Sequence, residues 1–406
     1  MGRNRASHMA GVQGGCRMRI AIDARWIFPE ITGIGAYTRE LIREFSAMAT
    51  GHEFVLIFDN PDIAAREVRE CALENRPNVR ILIVRSGVYS LRSQILLPAL
   101  LRAEAVSVYH STNVMIPFHA FPRRNRRIRC AVTMHDLIPL AVPNLVRGSK
   151  KGRMLPLYRL MLREIISRSD AIITDSEASR ADIRRFFPAS DPAGIHVVPC
   201  GVSERFRAAG EKTSGAERFR ALCDPEAERI LLYVGRADPY KNLAGAVKVL
   251  RSLREKCGFP VKLRVVGPED PRYRDARALA ARLGVAESIT WTGYVPEEKL
   301  LELYATAHAL IHPSLYEGFG LQVLEAMAAG LPVICSNVSS LPEVAGDAAL
   351  LADPNDINGF AEGAARILSD PALALRLSEA GRRRASLFTW RRTAEQILKI
   401  YEELCS

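Results

Sequence analysis

The chain has 406 residues, 48% hydrophobic and 25% charged, with a mean hydropathy of −0.01. Those values exclude a disordered chain and a single small core, and they accommodate two domains. The net charge of +11 and a pI near 9.4 favour an anionic partner: nucleic acid, an acidic lipid surface or a phosphorylated substrate.

Residues 1–17, MGRNRASHMAGVQGGCR, are polar and glycine-rich and lack the apolar core of a signal peptide. They read as a disordered leader or an expression remnant, with folding from Met18. Short β-branched runs then alternate with amphipathic runs. Strands are predicted at Arg19–Asp23, Phe54–Phe58, Val79–Val84, Val106–His110, Arg129–Thr133, Ala171–Thr174 and Ile195–Val198. Helical patterns fall at Ala36–Met48, Leu155–Ser167 and Glu177–Phe186. The polar run from Ala208 to Ala227 interrupts the series. A second one follows at Ile230–Val234, Leu263–Val266, Ile289–Trp291, Ala309–Ile311, Pro332–Cys335 and Ala349–Leu351. Two such series imply α/β architecture: two Rossmann-like, doubly wound parallel-sheet domains, 18–207 and 208–387, facing each other across a cleft. Residues 388–406 read as a closing helix that packs back on the first domain. The longest apolar candidate for a membrane span, Ala131–Val142, is interrupted by His135, Asp136 and Pro139. The eight scattered cysteines form no CxxC pair and read as buried thiols of a reducing compartment.

Ligands bind at the carboxyl ends of strands in open α/β sheets, so the loops there are the candidate sites. Glu317-Gly318-Phe319-Gly320 makes a tight loop before a helix whose N-terminal amides suit a diphosphate. Glu317 in the loop and Glu325 in the helix would accept hydrogen bonds from hydroxyls, one on a sugar and one on a ribose. Arg236 and Lys241, in GRADPYKN, follow the first strand of the second domain and would hold a diphosphate, against the alternative of a solvated charged turn. His135 ends a strand and faces the cleft. Asp136 would orient an acceptor hydroxyl or cap the next turn. Gly33 and Gly35 lie in the loop after the first strand, where a plain turn is the alternative.

The segment from His312 to Pro332, HPSLYEGFGLQVLEAMAAGLP, resembles the signature of the family-4 retaining glycosyltransferases of GT-B fold, whose Glu-x7-Glu motif matches Glu317 and Glu325. The resemblance implies that Arg236 and Lys241 bind the leaving diphosphate. It implies that Glu317, with Gly318, Phe319, Gly320 and Leu321, holds the donor sugar and phosphate, and that Glu325 takes the ribose. It further implies that His135 contacts the transferred sugar, that Gly33 and Gly35 approach donor phosphate and acceptor, and that Gly293, Tyr294 and Val295 bracket the base. No Asp-x-Asp triplet occurs, so no metal and no cofactor are expected. IAIDAR at 20–25, HDLIPL at 135–140 and the signature itself look most like bacterial mannosyltransferases of O-antigen and capsule assembly, which suggests GDP-mannose. UDP-sugar donors and a GT-B-fold UDP-sugar epimerase are the enzymatic alternatives. A basic nucleic-acid-binding protein is the non-enzymatic one, and the absence of stacking aromatics among the arginines argues against it. The acceptor is expected to be a saccharide or lipid-linked saccharide. The stretches Arg123–Arg129 and Arg147–Arg163 fit peripheral contact with an anionic membrane as well as a core helix with a solvated arginine face. The resemblance tilts this toward the membrane, on the inner face of the plasma membrane, in a cytoplasmic protein.

Overall fold

The computed structural model describes residues 17–124, 126–146, 150–189, 194–212, 215–268 and 275–406. Residues 1–16 of the expected leader, and Arg147 of the expected basic patch, lie outside them. Two all-parallel sheets carry the described chain. The first contains β1 (Arg19–Asp23), β2 (Glu53–Phe58), β3 (Val79–Ile83), β4 (Val108–Ser111), β5 (Arg129–Thr133), β6 (Ala171–Thr174) and β7 (Ile195–Val197), in the spatial order β3-β2-β1-β4-β5-β6-β7. The second contains β8 (Arg229–Val234), β9 (Val261–Val266), β10 (Ile289–Gly293), β11 (Ala309–His312), β12 (Val333–Ser336) and β13 (Leu350–Ala352), in the order β10-β9-β8-β11-β12-β13. Helices cover both faces, so central strands are buried along their length and read as continuous apolar runs rather than alternating ones.

Each sheet reverses its winding beside its first strand, between β1 and β4 and between β8 and β11. Loops diverge at such switch points and leave a crevice at the strands' carboxyl ends. Among the helices are α1 (Gly33–Ala47), α2 (Leu91–Ala103), α3 (Leu155–Arg168), α4 (Glu177–Phe186), α5 (Leu321–Ala328), α6 (Leu341–Ala345) and α7 (Trp390–Cys405).

Three local departures from the sequence reading have physical causes. The first helix begins at Gly33, not Ala36, so Gly33 and Gly35 lie in its first turn and not in a loop. Glycine lowers helix propensity, but the first-turn amides have no helical acceptor to lose and packing decides the start. The polar run after Ala208 is helical over Glu204–Lys212 and Gly215–Arg220. Buried Arg218 ties the second of these segments to the carbonyl of Gly330 (2.8 Å). The cysteines divide: Cys71, Cys130, Cys200 and Cys335 are buried, but Cys223 and Cys405 are exposed.

The chain crosses back at its end. A Cβ on Gly201 would lie 2.1 Å from the Trp390 nitrogen, so only glycine admits the returning strand this close. From there α7 runs along α1, and its buried Tyr401 hydroxyl meets His110 Nδ1 at 2.5 Å.

Candidate active site

The second sheet builds one wall. Beyond β8 the loop from Gly235 to Asn242 is set by two features. A Cβ on Gly267 would lie 2.0 Å from the Gly235 carbonyl oxygen, so the loops after β8 and β9 touch backbone to backbone. Asn242 sits at φ 53°, a left-handed conformation its short amide tolerates, and donates to the carbonyls of Pro313 (2.9 Å) and Pro354 (3.1 Å). That stitching fixes the loop against the exit of β11, the strand that delivers His312.

Lys241 and Glu317 are thereby brought into contact across the switch point. Lys241 Nζ donates to both Glu317 carboxylate oxygens, at 2.7 and 2.8 Å, and His312 Nε2 donates to Glu317 Oε1 at 2.9 Å. All three side chains are at least mostly buried. Burial alone would push the Glu317 carboxyl up, but the ammonium of Lys241 and the His312 donor overcome it and hold it at about 2. Arg236 stands apart: its side chain is half exposed and donates to Asp238 at 3.1 Å.

Gly320, at φ 103°, turns the chain into α5 in a backbone conformation that favours glycine. Val323 N, in the first turn of α5, donates to the Gly320 carbonyl (3.0 Å), and the Leu321 and Gln322 amides ahead of it, at the positive dipole end, have no carbonyl acceptor within the helix. Glu325 lies one turn in, half-buried, and accepts from the Tyr304 hydroxyl at 2.8 Å. Burial pushes its carboxyl up to about 7 against that donor, with the charge of Glu297 adding. Gly293, at φ 68°, ends β10, and its carbonyl accepts from Gly267 N (2.9 Å); Tyr294 next to it is exposed and Val295 half-buried.

The first sheet builds the facing wall. His135 follows β5, with Nδ1 donating to Asp175 (2.6 Å) and Nε2 to the Thr112 carbonyl (3.0 Å). Burial would lower its pKa, but Asp175 and the Thr112 carbonyl outweigh burial and raise it. Asp175 stands forty residues away in sequence. It reaches His135 because β5 and β6 are adjacent and parallel, with Thr133 opposite Ile173, so their carboxyl ends emerge side by side. Tyr37 of α1 packs edge-on against the His135 ring at 4.8 Å. Asp136 accepts from the Ile138 backbone N–H (3.0 Å), the turn-capping role of the two the sequence left open.

The walls are joined by hydrogen bonds. Ser176 Oγ donates to the Gly318 carbonyl (2.6 Å), Glu343 of α6 accepts from the first amides of α4, Glu177 N (2.9 Å) and Ala178 N (3.1 Å), and the Tyr316 hydroxyl meets Asp182. A Cβ on Gly318 would lie 2.6 Å from the His135 carbonyl oxygen, and Leu321 lies 3.7 Å from the Cβ position of Gly33. The structure thus brings His135 and Asp136 against Gly318 and Gly33 against Leu321, beside Lys241, Glu317, Phe319 and Gly320, whereas Gly35 packs on Trp26, Ile27 and Ile31 of its own domain. Arg236 and Glu325 lie further along the same wall, and Gly293–Val295 on the outer side of β8. Sequence reading did not single out His312, Asp175, Ser176, Asn242 or Tyr304 as functional. His312 stood inside the quoted signature and Asn242 at the end of the quoted GRADPYKN; the other three carry no local signal.

Comparison with known proteins agrees with this geometry. Residues 31–206 match the family model for Glycosyltransferase Family 4, and residues 216–384 that for Glycosyl transferases group 1. The chain is 30% identical over 403 residues to the O-antigen chain mannosyltransferase B of Escherichia coli, covering 95% of this chain and 100% of that one. It is 33% identical over 247 residues to the MMP alpha-(1->4)-mannosyltransferase of Mycolicibacterium hassiacum, covering 60% of this chain and 56% of that one. Sucrose-phosphate synthase from Thermosynechococcus elongatus superposes with a TM-score of 0.75 at 24% identity, over 96% of this chain and 99% of that one, and shows the shared fold. Two facing parallel-sheet domains with this crevice constitute the GT-B fold. The chain belongs to the group 1, family 4 glycosyltransferases, and it is a hexosyltransferase.

Proposed function

We propose that the enzyme transfers mannose from GDP-mannose, with retention and without a metal, to a hydroxyl of a saccharide or lipid-linked saccharide during cell-surface polysaccharide assembly. The observation that carries the reading is the Lys241–Glu317–His312 cluster beside the N-terminus of α5. A cation, hydroxyl acceptors and helix N-terminal amides gathered together support a sugar-diphosphate donor, which calls for all three. Lys241 leaves Glu317 for the diphosphate, joined by Arg236, which frees the Glu317 carboxylate for sugar hydroxyls; Glu325 takes the ribose. His135, held by Asp175, faces the sugar. The bond from the anomeric carbon to the diphosphate oxygen breaks, and the acceptor oxygen bonds to that carbon on the same face. The acceptor's proton passes to the departing diphosphate. The protein's share is orientation and stabilisation of the leaving charge.

The two mannosyltransferase relatives support the sugar assignment. The exposed basic side of α3 supports peripheral contact with an anionic membrane on the cytoplasmic side, where Arg159 and Arg163 are exposed. In the stretch 123–129 acids already hold several arginines: Arg123 pairs with Glu164, and Arg126 and Arg129 with Asp170. The test is a panel of nucleotide sugars assayed for donor hydrolysis with and without EDTA, with the anomeric configuration of the product read by NMR. GDP-mannose should be turned over fastest, unchanged by chelation and with the α-configuration kept. Faster turnover of a UDP-sugar, or loss of activity in EDTA, overturns the finer reading.

A further inference from the structure

Helix α2 has a composition its surroundings do not use. Its sequence, LRSQILLPALLRA, is apolar at every position except Arg92, Ser93, Gln94 and Arg102, and it holds no acid. A helix apolar all round belongs in a core or against a non-aqueous partner. Yet only Ser93, Leu97, Pro98 and Leu101 of it are buried. Leu91 is 83% exposed and Ile95 71%, and the preceding Tyr89 is 59% exposed. Beside them runs a groove of about 660 Å³, lined by Ile83, Leu96, Ala99 and Leu100 with Arg85 and Arg92 at its sides. Such a contiguous apolar surface rimmed with cations marks an interaction site rather than scattered surface leucines.

The surface is held rigidly to the crevice. Buried Arg25 pairs with Asp23 at the end of β1 (2.7 Å) and donates to Ser93 Oγ of α2 (2.8 Å) and to the Ser86 carbonyl (3.1 Å). Gln94 of α2 bonds both Ile116 O (3.1 Å) and Phe118 N (2.8 Å). The cluster of Trp26, Val88 and Met115, with Phe118 and Met161 against it, links this region to α3. There Met154, Leu157 and Leu160 are more than half exposed. Both α2 and α3 start after the carboxyl end of a strand, the end at which the crevice lies.

We propose that α2 is a membrane-insertion element: its Leu91–Ile95 side and neighbouring groove seat in the acyl layer of an anionic phospholipid bilayer, while Arg85 and Arg92 meet the headgroup phosphates. Charge selects this occupant. The segment from Ile83 to Ala103 carries Arg85, Arg92 and Arg102 and no carboxylate. In α3 the one acid, Glu164, is already paired with Arg123 and Arg168. Leucine and isoleucine flanked by arginine match the boundary between acyl chains and phosphates. The proposal extends the contact assigned above to α3, and rests on that reading for the partner's identity alone. It predicts that the crevice opens beside the lipid surface, within reach of a membrane-bound acceptor.

The test is flotation of the full chain with vesicles of phosphatidylcholine alone or with phosphatidylglycerol. The wild type should bind the anionic vesicles at least about tenfold more strongly than the neutral ones. The double variant Leu91→Glu, Ile95→Glu should lose about tenfold or more of that binding, because two aliphatic side chains leave the acyl layer. Leu157→Glu with Leu160→Glu should lose a smaller factor, and Leu375→Glu in the other domain none. These residues are exposed, so melting temperature and donor hydrolysis in solution should stay at wild-type values. No binding by the wild type overturns the membrane contact altogether. Full binding by the α2 variant, with loss in the α3 variant, overturns the α2 proposal and leaves the α3 contact standing. A wild-type dimer in light scattering that the α2 variant turns monomeric assigns the face to a second copy and also overturns it.

Discussion

On the C-terminal wall of the crevice, Lys241 and His312 both bond the one carboxylate of Glu317. On the N-terminal wall, His135 is saturated on both ring nitrogens by Asp175 and Thr112. On the proposed reading the first arrangement is exchangeable, because a diphosphate would compete for Lys241 with more charge than a carboxylate while His312 keeps its hold on Glu317. The second is fixed, because both of its partners belong to the protein's own sheet. A charge to be handed to a ligand is parked on a partner that can let it go; a ring that must keep its orientation is bonded at both ends. The neighbouring His110 reinforces the fixed wall. Burial, with the charge of His135 second, pushes it down to about 3, so it stays a neutral link between Thr133 and Tyr401.

The hardest blow to this contrast is Lys241→Met. It removes the exchangeable cation and leaves the Glu317 carboxylate buried. Turnover of the donor should fall about a hundredfold or more, and stability should drop by about 3 kcal/mol, measured by steady-state kinetics and urea unfolding. A variant as stable as wild type would mean that Glu317 is not held by this pair. The sign with pH follows. Glu317's depressed carboxyl contributes stability present above its unfolded value and lost as pH falls toward about 2. In Lys241→Met burial is no longer outweighed, so the stability deficit against wild type should be largest above the unfolded carboxyl value and narrow as pH falls toward about 2.

Next is Asp175→Asn, which keeps the hydrogen-bonding shape but removes the charge beside His135. The expectation is about a tenfold loss in turnover with nucleotide affinity unchanged, read by kinetics beside calorimetry. His135's raised pKa gives stability that is full below the unfolded histidine value and lost as pH rises through its folded one. The Asn variant should lack that loss. Equal falls in turnover and in nucleotide affinity would show that the N-terminal wall is not merely an orienting one.

A smaller effect tests Glu325. Its carboxyl, raised to about 7, favours the protonated form in the folded protein, so stability declines as pH climbs from the unfolded value through about 7. Glu325→Gln should remove this decline in a melting series. It should also abolish a severalfold tightening of nucleotide binding, on the order of threefold, over the same pH range. The smallest is Asp136→Ala, which loses one turn cap worth about 1 kcal/mol and should leave turnover near wild type. A large loss of turnover there would assign Asp136 to the acceptor after all.

Some of this was written in local sequence. The strands of both sheets fall within two residues of their predicted places, because parallel strands covered on both faces must be continuous apolar runs. The segment from His312 to Pro332 showed its loop, its helix and both glutamates, because backbone turns need glycine and Gly320 sits at φ 103°. What local sequence did not contain is who meets whom. Lys241 and Glu317 are 76 residues apart, and Ser176 and Gly318 are 142 apart. The first contact exists because β8 and β11 are neighbours in the second sheet, and the second because the two sheets' loops close on each other.

The sequence by itself therefore determined the two βα series and the loop and helix of the signature, since periodicity and turn chemistry are local, and the resemblance of that signature pointed to the family. Only the tertiary structure decided that Lys241 rests on Glu317, that Asp175 holds His135, that Gly33 and Gly35 begin a helix, and that α2 shows its leucines to the outside. Those are properties of neighbours distant along the chain. A leucine-rich helix reads the same whether its second face meets a core or nothing, and the fold alone leaves that face of α2 uncovered.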